Sequence, residues 1–304
     1  MFKYFPISFR LFFIINVLIF SMQGVNFAQW TWLNPLPTGN KLNSVSFIDD
    51  LYGTAVGAVG TIIHTTDGGT TWSVQESGVI TQLFGVSFID ANIGTAVGGL
   101  GVILRTTNGG VTWVQQTSGT TKALRSVSFT DANNGTAVGA TGTILRTTNG
   151  GITWTPQTSG TTVFLYGVSF TDSVNGTAVG GAGTIRRTTD AGLTWTSQTS
   201  GVTGILWSVY FADTDHGTAV GDAQKIIHTT DGGATWAQQI SQAGGIGALY
   251  GVSFTDVNNG WNVGSQMGET IEHTTDGGNN WTSQFKYIRH LTVYQQLIKI
   301  QQWQ

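Results

Sequence analysis

Short apolar, β-branched runs alternate with clusters of Gly, Asn and Asp along most of the chain. In one stretch, the run LFGVSFID (83–90) is followed by GTAVG (94–98), VILRT (102–106) and TWVQQ (112–116). These runs are five to eight residues long, and no window has a sustained helical period. That pattern is typical of β-strands separated by tight turns. The stretch therefore predicts four short antiparallel strands.

The same pattern occurs six times, and each copy ends on a tryptophan. Successive tryptophans lie 41 residues apart four times and 45 apart once; they are Trp72, Trp113, Trp154, Trp195, Trp236 and Trp281. A four-stranded unit of about 40 residues is the blade of a β-propeller. A solenoid is the competing interpretation, but each unit has two apolar faces, and radial closure covers both. We expect an all-β propeller with six intact blades, in which Val86 and Phe88 face a neighbouring blade and small Ala96 and Gly98 allow close packing.

Both ends of the repeat array depart from the pattern. Residues 32–39 align with 72–78 and predict an N-terminal fourth strand ahead of the first full repeat. Residues 285–304 are too few for the three missing strands and contain no Gly, Asp or Glu. We therefore expect a split or truncated seventh blade followed by an atypical C-terminal tail. Strands at 288–294 and 297–302 remain an alternative.

The first 28 residues differ from the rest. Lys3 and Arg10 precede an apolar run from Leu11 to Phe20, as in a secretory signal cleaved after Ala28. An uncleaved N-terminal anchor is the alternative. The predicted organisation is a signal peptide at 1–28, a propeller at 29–284 and a tail at 285–304. The protein is then exported to the periplasm or the extracellular space.

Composition restricts the partners. Only 10% of residues are charged, the net charge is −3, and there is no basic run beyond Arg186 and Arg187. A nucleic acid or an anionic membrane surface is therefore not an expected partner, and no integral membrane segment is expected after signal cleavage. The chain has no cysteine, so disulfides and thiolate metal sites are excluded. No cofactor is predicted.

The turn between the third and fourth strands reads TTDGGTTW (65–72) and resembles the Asp-box, or bacterial neuraminidase, repeat. Its acidic position is held by Asp67, Asn108, Asn149, Asp190, Asp231 and Asp276. A metal ligand or general acid would not tolerate Asn, whereas an oxygen that accepts backbone N–H groups would. The predicted role is therefore structural, with calcium ligation as the alternative.

The two glycines of the box behave differently. The first becomes Ala191 in the fourth copy, whereas the second is present throughout as Gly69, Gly110, Gly151, Gly192, Gly233 and Gly278. The second position is therefore predicted to be the one with a positive φ. The closing tryptophan is expected to pack over the turn.

Asp-box repeats also occur in sialidases, so glycoside hydrolysis is the enzymatic hypothesis. It requires a carboxylate pair or an activated tyrosine, and sialidases also use an arginine trio. Here Arg105, Arg146 and Arg187 share one repeat position with His64, His228 and His273, which predicts a repeated surface column. The carboxylates outside the repeat pattern are Asp222, Glu269 and Glu272. We therefore expect no enzymatic activity, with a sialidase-like hydrolase as the minor alternative.

The whole unit, VSFxD followed by GTAVG and TILRTTNGGxTW, resembles the photosystem II assembly and stability factor family over about residues 32–284. The resemblance implies a non-enzymatic propeller that holds protein partners. A secreted glycan-binding or adhesive module is the runner-up.

One repeat position varies in a way that suggests binding. At the start of the first strand lie Asn43, Phe84, Arg125, Tyr166, Trp207 and Tyr250. The first strand of a propeller blade is innermost, so these side chains should surround one mouth of the channel. Aromatic residues and Arg dominate binding hot spots. Loops carrying Asp222, Lys225 and Glu269, and an insertion at 241–247, should add specificity on the same face. Packing between blades at the rim is the alternative role for this column.

Overall fold

The computed structural model describes residues 37–241, 247–265 and 269–284. Its strands, four to a blade, are β1 (Leu42–Phe47), β2 (Gly53–Gly57), β3 (Ile62–Thr65), β4 (Ser73–Gln75), β5 (Leu83–Phe88), β6 (Gly94–Gly98), β7 (Ile103–Thr106), β8 (Val114–Gln116), β9 (Leu124–Phe129), β10 (Gly135–Gly139), β11 (Ile144–Thr147), β12 (Thr155–Gln157), β13 (Leu165–Phe170), β14 (Gly176–Gly180), β15 (Ile185–Thr188), β16 (Thr196–Gln198), β17 (Leu206–Phe211), β18 (Gly217–Gly221), β19 (Ile226–Thr229), β20 (Ala237–Gln239), β21 (Ala248–Phe254), β22 (Gly260–Ser265), β23 (Glu269–Thr274) and β24 (Thr282–Ser283).

Each group of four strands forms its own antiparallel sheet in chain order, such as β1-β2-β3-β4. The six blades of the propeller are thereby confirmed. In the first five blades a single 3₁₀ turn joins the second and third strands; these turns are Ala58–Gly60, Gly99–Gly101, Ala140–Gly142, Gly181–Gly183 and Asp222–Gln224. None of the described segments is a helix long and apolar enough to cross a membrane.

Several sequence predictions fall outside the described residues. They are the signal peptide at 1–28, residues 32–36 of the N-terminal strand segment at 32–39, the tail at 285–304 with its alternative strands, and most of the insertion at 241–247. The domain boundaries and the seventh blade stay predictions.

The hydrophobic core lies between blades. Val56 and Ile62 of the first blade pack against Leu83, Ala96 and Leu104 of the second. The same cluster contains Val86 and touches Phe88, so the prediction that these two face a neighbouring blade is confirmed. Corresponding clusters join each later pair of adjacent blades up to the sixth. Each blade therefore buries one face only with the help of its neighbour.

The first blade has a cluster made of its own residues alone. Leu42, Ala55 and Ile63 form it, with Val45 and Phe47 packed alongside. Val45 is only partly buried, whereas its counterpart Val86 is 7% exposed. Among the described residues, this face therefore does not share a core with the sixth blade. That is the arrangement expected if a further unit separates these two blades.

Close approach within a blade explains the small residues of the second strand. Ala96 is fully buried, and a Cβ atom added to Gly98 would lie 2.5 Å from the carbonyl oxygen of Gln82. Gln82 precedes the inner strand of the same blade. The close contact thus joins the second strand to the segment that enters the blade, where there is no space for a side chain.

The Asp box is held by its acidic side chain, as predicted. Asp67 Oδ1 accepts hydrogen bonds from the backbone N–H of Thr71 and the hydroxyl of Thr65, both at 2.8 Å. In the second blade Asn108 Oδ1 accepts the N–H of Thr112 at 2.9 Å. The amide therefore reproduces the bond across the turn, because that bond needs only an accepting oxygen.

The second box glycine has a positive φ, as predicted, but the first position of the box has one as well. Gly68 and Gly69 have φ values of +67° and +80°. Ala191, at the first position in the fourth blade, adopts φ +63°. The left-handed region is uncommon for alanine but sterically accessible, so the substitution did not reveal the backbone requirement.

The closing tryptophans bridge blades as well as covering turns. Trp113 packs edge-on against Phe88 at 5.9 Å, and its Nε1–H donates to Gln75 Oε1 of the preceding blade at 3.1 Å. Gln75 Nε2 donates in turn to the Gly109 carbonyl of the same box at 2.9 Å. Equivalent pairs join Gln116 to Trp154 and Gln239 to Trp281. A glutamine on an outer strand thereby links one blade to the turn of the next.

This link is missing at two junctions. The indole N–H groups of Trp195 and Trp236 are buried without a hydrogen-bond partner among the described residues. Gln157, which could have bonded Trp195, instead donates to the carbonyl of Thr155 on its own strand at 3.3 Å.

The prediction of a surface column of arginines was wrong. Arg105 and Arg187 are 8% and 9% exposed. Arg105 Nη2 donates to the Ala132 carbonyl of the next blade at 2.6 Å, and its guanidinium lies 4.9 Å from the ring centroid of Phe129. Burial lowers the pKa of Arg105. Arg187 likewise lies over a ring of the next blade, that of Phe211, and Arg146 is half-buried, so the three arginines do not form an exposed trio.

We predict that Gln75→Leu lowers the free energy of unfolding by about 1–3 kcal/mol, because Trp113 then keeps a buried N–H without an acceptor. Gln157→Leu is the matched control and should change stability by less than about 0.5 kcal/mol, since Gln157 bonds only its own strand. Urea unfolding followed by circular dichroism measures both. Equal losses in the two variants would contradict the bridging role.

A second prediction concerns acid stability. Hydrogen bonds from the hydroxyl and N–H of Thr235 and from the hydroxyl of Thr229 lower the pKa of Asp231 from 3.8 to about 2. A depressed folded-state pKa stabilises the fold above the unfolded value and loses that effect as pH falls through the folded value. The stability difference between the parent and Asp231→Asn should therefore be largest above about pH 4 and shrink towards about pH 2.

The reverse substitution tests the same charge at another blade. Asn108→Asp introduces a carboxylate into the same hydrogen-bond geometry, so its stability relative to the parent should fall between about pH 4 and pH 2. Urea unfolding at several pH values measures both variants. A pH-independent difference for both would show that ionisation of the box is irrelevant to stability.

Candidate functional site

The inner strands of all six blades line a central channel with a cavity of about 520 Å³. Serine hydroxyls join neighbouring inner strands there: Ser44 and Ser46 accept N–H groups from Val86 and Phe88 at 3.3 and 3.1 Å. The fifth blade places Tyr210 where its neighbours carry serine, and its ring stacks on Phe254 at 6.4 Å. Burial raises the pKa of Tyr210. The channel is therefore mostly polar, with one aromatic wall.

Five of the six side chains of the variable column form a continuous arc at one mouth of this channel. The guanidinium of Arg125 lies 4.3 Å from the ring centroid of Phe84 and 5.4 Å from that of Tyr166. The ring centroids of Tyr166 and Trp207 are 4.5 Å apart, and those of Trp207 and Tyr250 are 5.6 Å apart. We call these five residues the aromatic arc. Sequence reasoning placed them at one mouth, and the structure brings them into contact.

The first blade contributes no aromatic side chain. Asn43 is 9% exposed, and its Nδ2 donates to the carbonyl of Leu83 at 2.7 Å. The asparagine is used to join the first two blades. The arc therefore extends over blades two to six and is open at the first blade.

One member of the site was missed from the sequence. Phe164 precedes β13 and stacks on Tyr166, with ring centroids 4.9 Å apart and an interplanar angle of 13°. Its ring also lies 5.8 Å from the guanidinium of Arg125. The equivalent positions in the other blades are Lys41, Gln82, Ala123, Ile205 and Ala248, so an aromatic residue here was a detectable irregularity.

Arg125 presents a cation among aromatic faces. Its guanidinium makes favourable cation–π contacts with the rings of Phe84, Phe164 and Tyr166. Arg125 makes no ion pair with any described residue, so no described carboxylate neutralises it. The guanidinium N–H groups make no hydrogen bond with a described residue. The site can therefore combine stacking with donation to a ligand acceptor.

Asp222, predicted as a ligand contact, lies beside Trp207 of the aromatic arc. Its Oδ1 accepts the indole N–H of Trp207 at 2.8 Å, and its Oδ2 accepts the backbone N–H of Ile205 at 3.0 Å. The carboxylate thereby fixes the rotamer of Trp207 within the arc. Lys225 directly follows the same 3₁₀ turn, and its backbone N–H bonds the carbonyl of Asp222.

The other irregular carboxylates do not meet Asp222 in an open site. Glu272 is a fully buried residue of β23, the third strand of the sixth blade, and it accepts hydrogen bonds from Ser241 at 3.0 Å and from Asn262 at 3.0 Å. Glu269 begins β23, next to residues 266–268, which lie outside the described ranges. The described residues also contain no group of three or more His, Cys, Asp or Glu side chains placed to hold a metal ion.

Comparison with known proteins identifies the family. The family described as photosynthesis system II assembly factor YCF48 matches residues 23–117, 77–156, 113–196 and 199–291. The chain belongs to this family. The resemblance inferred from the repeat is confirmed. A search of curated protein sequences found no match.

Solved structures share the fold of this YCF48-family chain. YCF48 from Cyanidioschyzon merolae matches with a TM-score of 0.67 and 22% identity, covering 82% of this chain and 86% of that one. A structure of YCF48 bound to D1 peptide matches with a TM-score of 0.66 and 22% identity, covering 82% of each chain. The GH74 xyloglucanase from Xanthomonas campestris matches with a TM-score of 0.66 and 14% identity, covering 84% of this chain but 46% of that one. At these identities the likeness concerns the fold alone.

We predict that Asp222→Ala releases the Trp207 side chain without unfolding the protein. A hydrogen bond to a carboxylate contributes about 1.5–3 kcal/mol, so hydrogen exchange at the Trp207 indole N–H should accelerate about tenfold or more. Nitrogen-15 NMR of the indole region measures this, with Trp207→Phe to assign the signal. Asp222→Asn keeps an accepting oxygen and is the control. An unchanged exchange rate in Asp222→Ala would show that the carboxylate does not hold the ring.

Proposed function

We propose that this YCF48-family chain is an exported, non-enzymatic propeller that binds a protein partner through the aromatic arc. The observation that carries the proposal is the contact of Arg125, Tyr166, Trp207 and Tyr250 at the channel mouth. Aromatic and Arg side chains supply most of the affinity in protein interfaces. A contiguous set at a concave mouth is therefore suited to a peptide segment.

Support also comes from family membership. A solved relative is YCF48 in complex with a D1 peptide, which makes a peptide or protein segment the first ligand class to test here. A role in photosynthesis is not required, because the binding side chains belong to the aromatic arc itself and not to the shared fold. Export rests on the signal-like pattern of residues 1–28.

The positions of the candidate catalytic side chains support the absence of enzymatic activity. Arg105 and Arg187 are buried, and Arg105 is bonded to the next blade. Glu272 is fully buried and bonded to Ser241 and Asn262. Asp222 is already bonded to Trp207 and Ile205. Acid/base hydrolysis needs two carboxylates flanking a bound sugar, and the described residues provide no such pair at the arc.

A secreted glycan-binding module is the second candidate. The partly buried rings of Tyr166, Trp207 and Tyr250 could also stack on sugar faces, and the GH74 xyloglucanase shares the propeller fold. Binding to a glycan array without capture of a protein would favour this alternative. A fluorogenic sialoside assay would detect the hydrolase alternative.

The test is affinity capture from the native cell envelope, followed by mass spectrometry. Trp207→Ala combined with Tyr250→Ala should reduce capture of the partner at least about tenfold while circular dichroism stays unchanged, because hot-spot truncations each cost about 2 kcal/mol or more. Ile80→Ala with Leu100→Ala is the matched control, since both side chains are exposed at the same end of the propeller but outside the arc. Undiminished capture by a folded Trp207/Tyr250 double variant would eliminate this site.

A further inference from the structure

The end of the propeller opposite the aromatic arc has a different chemistry. Because the four strands of each blade run up and down, the turns that follow the first and third strands lie together at that end. The backbone confirms the proximity within a blade: the N–H of Gly109 in the second box donates to the carbonyl of Asn92 in the preceding turn at 2.9 Å. We call this end the box face.

Three blades present an aliphatic side chain on the box face. Val111 and Ile152 are each 80% exposed and Leu193 is 68% exposed, and all three occupy the position after the second box glycine. The same position carries Thr70, Ala234 and Asn279 in the other blades. A single exposed apolar residue needs no explanation, but three at one position in successive blades form a row.

The row belongs to blades that touch one another on this face. Arg105 of the second blade donates to the Ala132 carbonyl in the first turn of the third blade. Gln116 donates to the Gly150 carbonyl of the third box at 3.1 Å. The boxes that carry Val111 and Ile152 are thus held in a fixed relation. The fourth blade is joined to the third through the core cluster that contains Ile144 and Trp195. The fold therefore fixes the positions of the aliphatic row, Val111, Ile152 and Leu193.

Charge divides the same face into two halves. The turns of blades two to four carry four aspartates. The third strands of the same blades carry Arg105, Arg146 and Arg187 near the end that leads into the box. The turns of blades one, five and six carry eight aspartates, and their described residues place no Lys or Arg at this end. In blades one, five and six, the repeat position of these arginines is held by His64, His228 and His273. Burial lowers the pKa of each of these histidines. At neutral pH the aliphatic row therefore borders a strongly acidic half.

We propose that the aliphatic row and the adjoining acidic half dock a cationic amphipathic segment of a partner protein. Apolar side chains of that segment cover Val111, Ile152 and Leu193, and its Lys or Arg side chains face the aspartates of blades one, five and six. Charge complementarity selects this occupant, because the negative half repels acidic peptides, nucleic acid and anionic lipid. This second binding surface is independent of the aromatic arc.

The probe is a short synthetic helical peptide of leucine and lysine carrying a fluorophore, with a leucine and glutamate analogue for comparison. Fluorescence anisotropy should show binding of the lysine peptide alone, and binding should weaken as salt is raised. Val111→Thr, Ile152→Thr and Leu193→Thr together should weaken binding at least about tenfold, because the aliphatic burial is lost. Ile80→Thr, Leu100→Thr and Ile240→Thr, which change exposed residues at the opposite end, are the matched control and should leave it unchanged.

Three outcomes would overturn the proposal. Equal binding of the glutamate peptide would show that charge does not select the occupant. Undiminished binding to the folded triple variant would show that the aliphatic row does not contact the peptide. Concentration-dependent self-association in sedimentation velocity, lost in the triple variant, would assign the surface to a second copy of this chain. The Trp207/Tyr250 double variant should bind the lysine peptide normally, so failure of this surface is distinguishable from failure of the arc.

Discussion

No blade of this propeller can bury both of its apolar faces alone, and the rest of the structure depends on that constraint. Val97 and Ile103 of the second blade are fully buried because Leu124 and Leu145 of the third blade cover them. Apolar burial of this kind contributes about 25 cal/mol per Å². Stability is therefore distributed over the junctions, as expected when each repeat contacts only its neighbours. Hydrogen bonds such as that from Trp113 to Gln75 make this packing specific, because they join the outer strand of one blade to the box turn of the next.

The sequence was sufficient to predict the parts of the fold that depend on interactions between residues close together in the chain. Alternation of apolar residues with turn residues located the strands to within one or two residues, as for β6 at Gly94–Gly98. Exchange of Asp for Asn identified the box oxygen as a hydrogen-bond acceptor, since comparison among six copies isolates the one property that both side chains share. Positive φ at Ala191 was not predictable in this way, because alanine tolerates a conformation that its identity does not reveal.

Features that depend on neighbouring blades were harder to predict. Arg105 looks like a surface residue in sequence, yet the next blade supplies a carbonyl and the ring of Phe129 that together bury it. The site shows the same limit. A repeat column identified Trp207 and Tyr250 as neighbours at one mouth, because symmetry carries a position from blade to blade. It did not identify the bond from Asp222 to Trp207, since that bond is present in one blade alone and depends on side-chain geometry.

The arc also indicates how a repeat protein can gain a specific surface without losing its fold. Side chains at this column project into the channel mouth, so most of them are released from the packing that closes the blades. Asn43 is the exception, since its amide donates a hydrogen bond to the carbonyl of Leu83 and thereby joins the first blade to the second. The other five positions could therefore change from blade to blade while Leu83 and its equivalents stayed buried. Variation concentrated at these positions, next to an almost constant core, is what selection for binding would produce when stability restricts the remaining residues of each repeat.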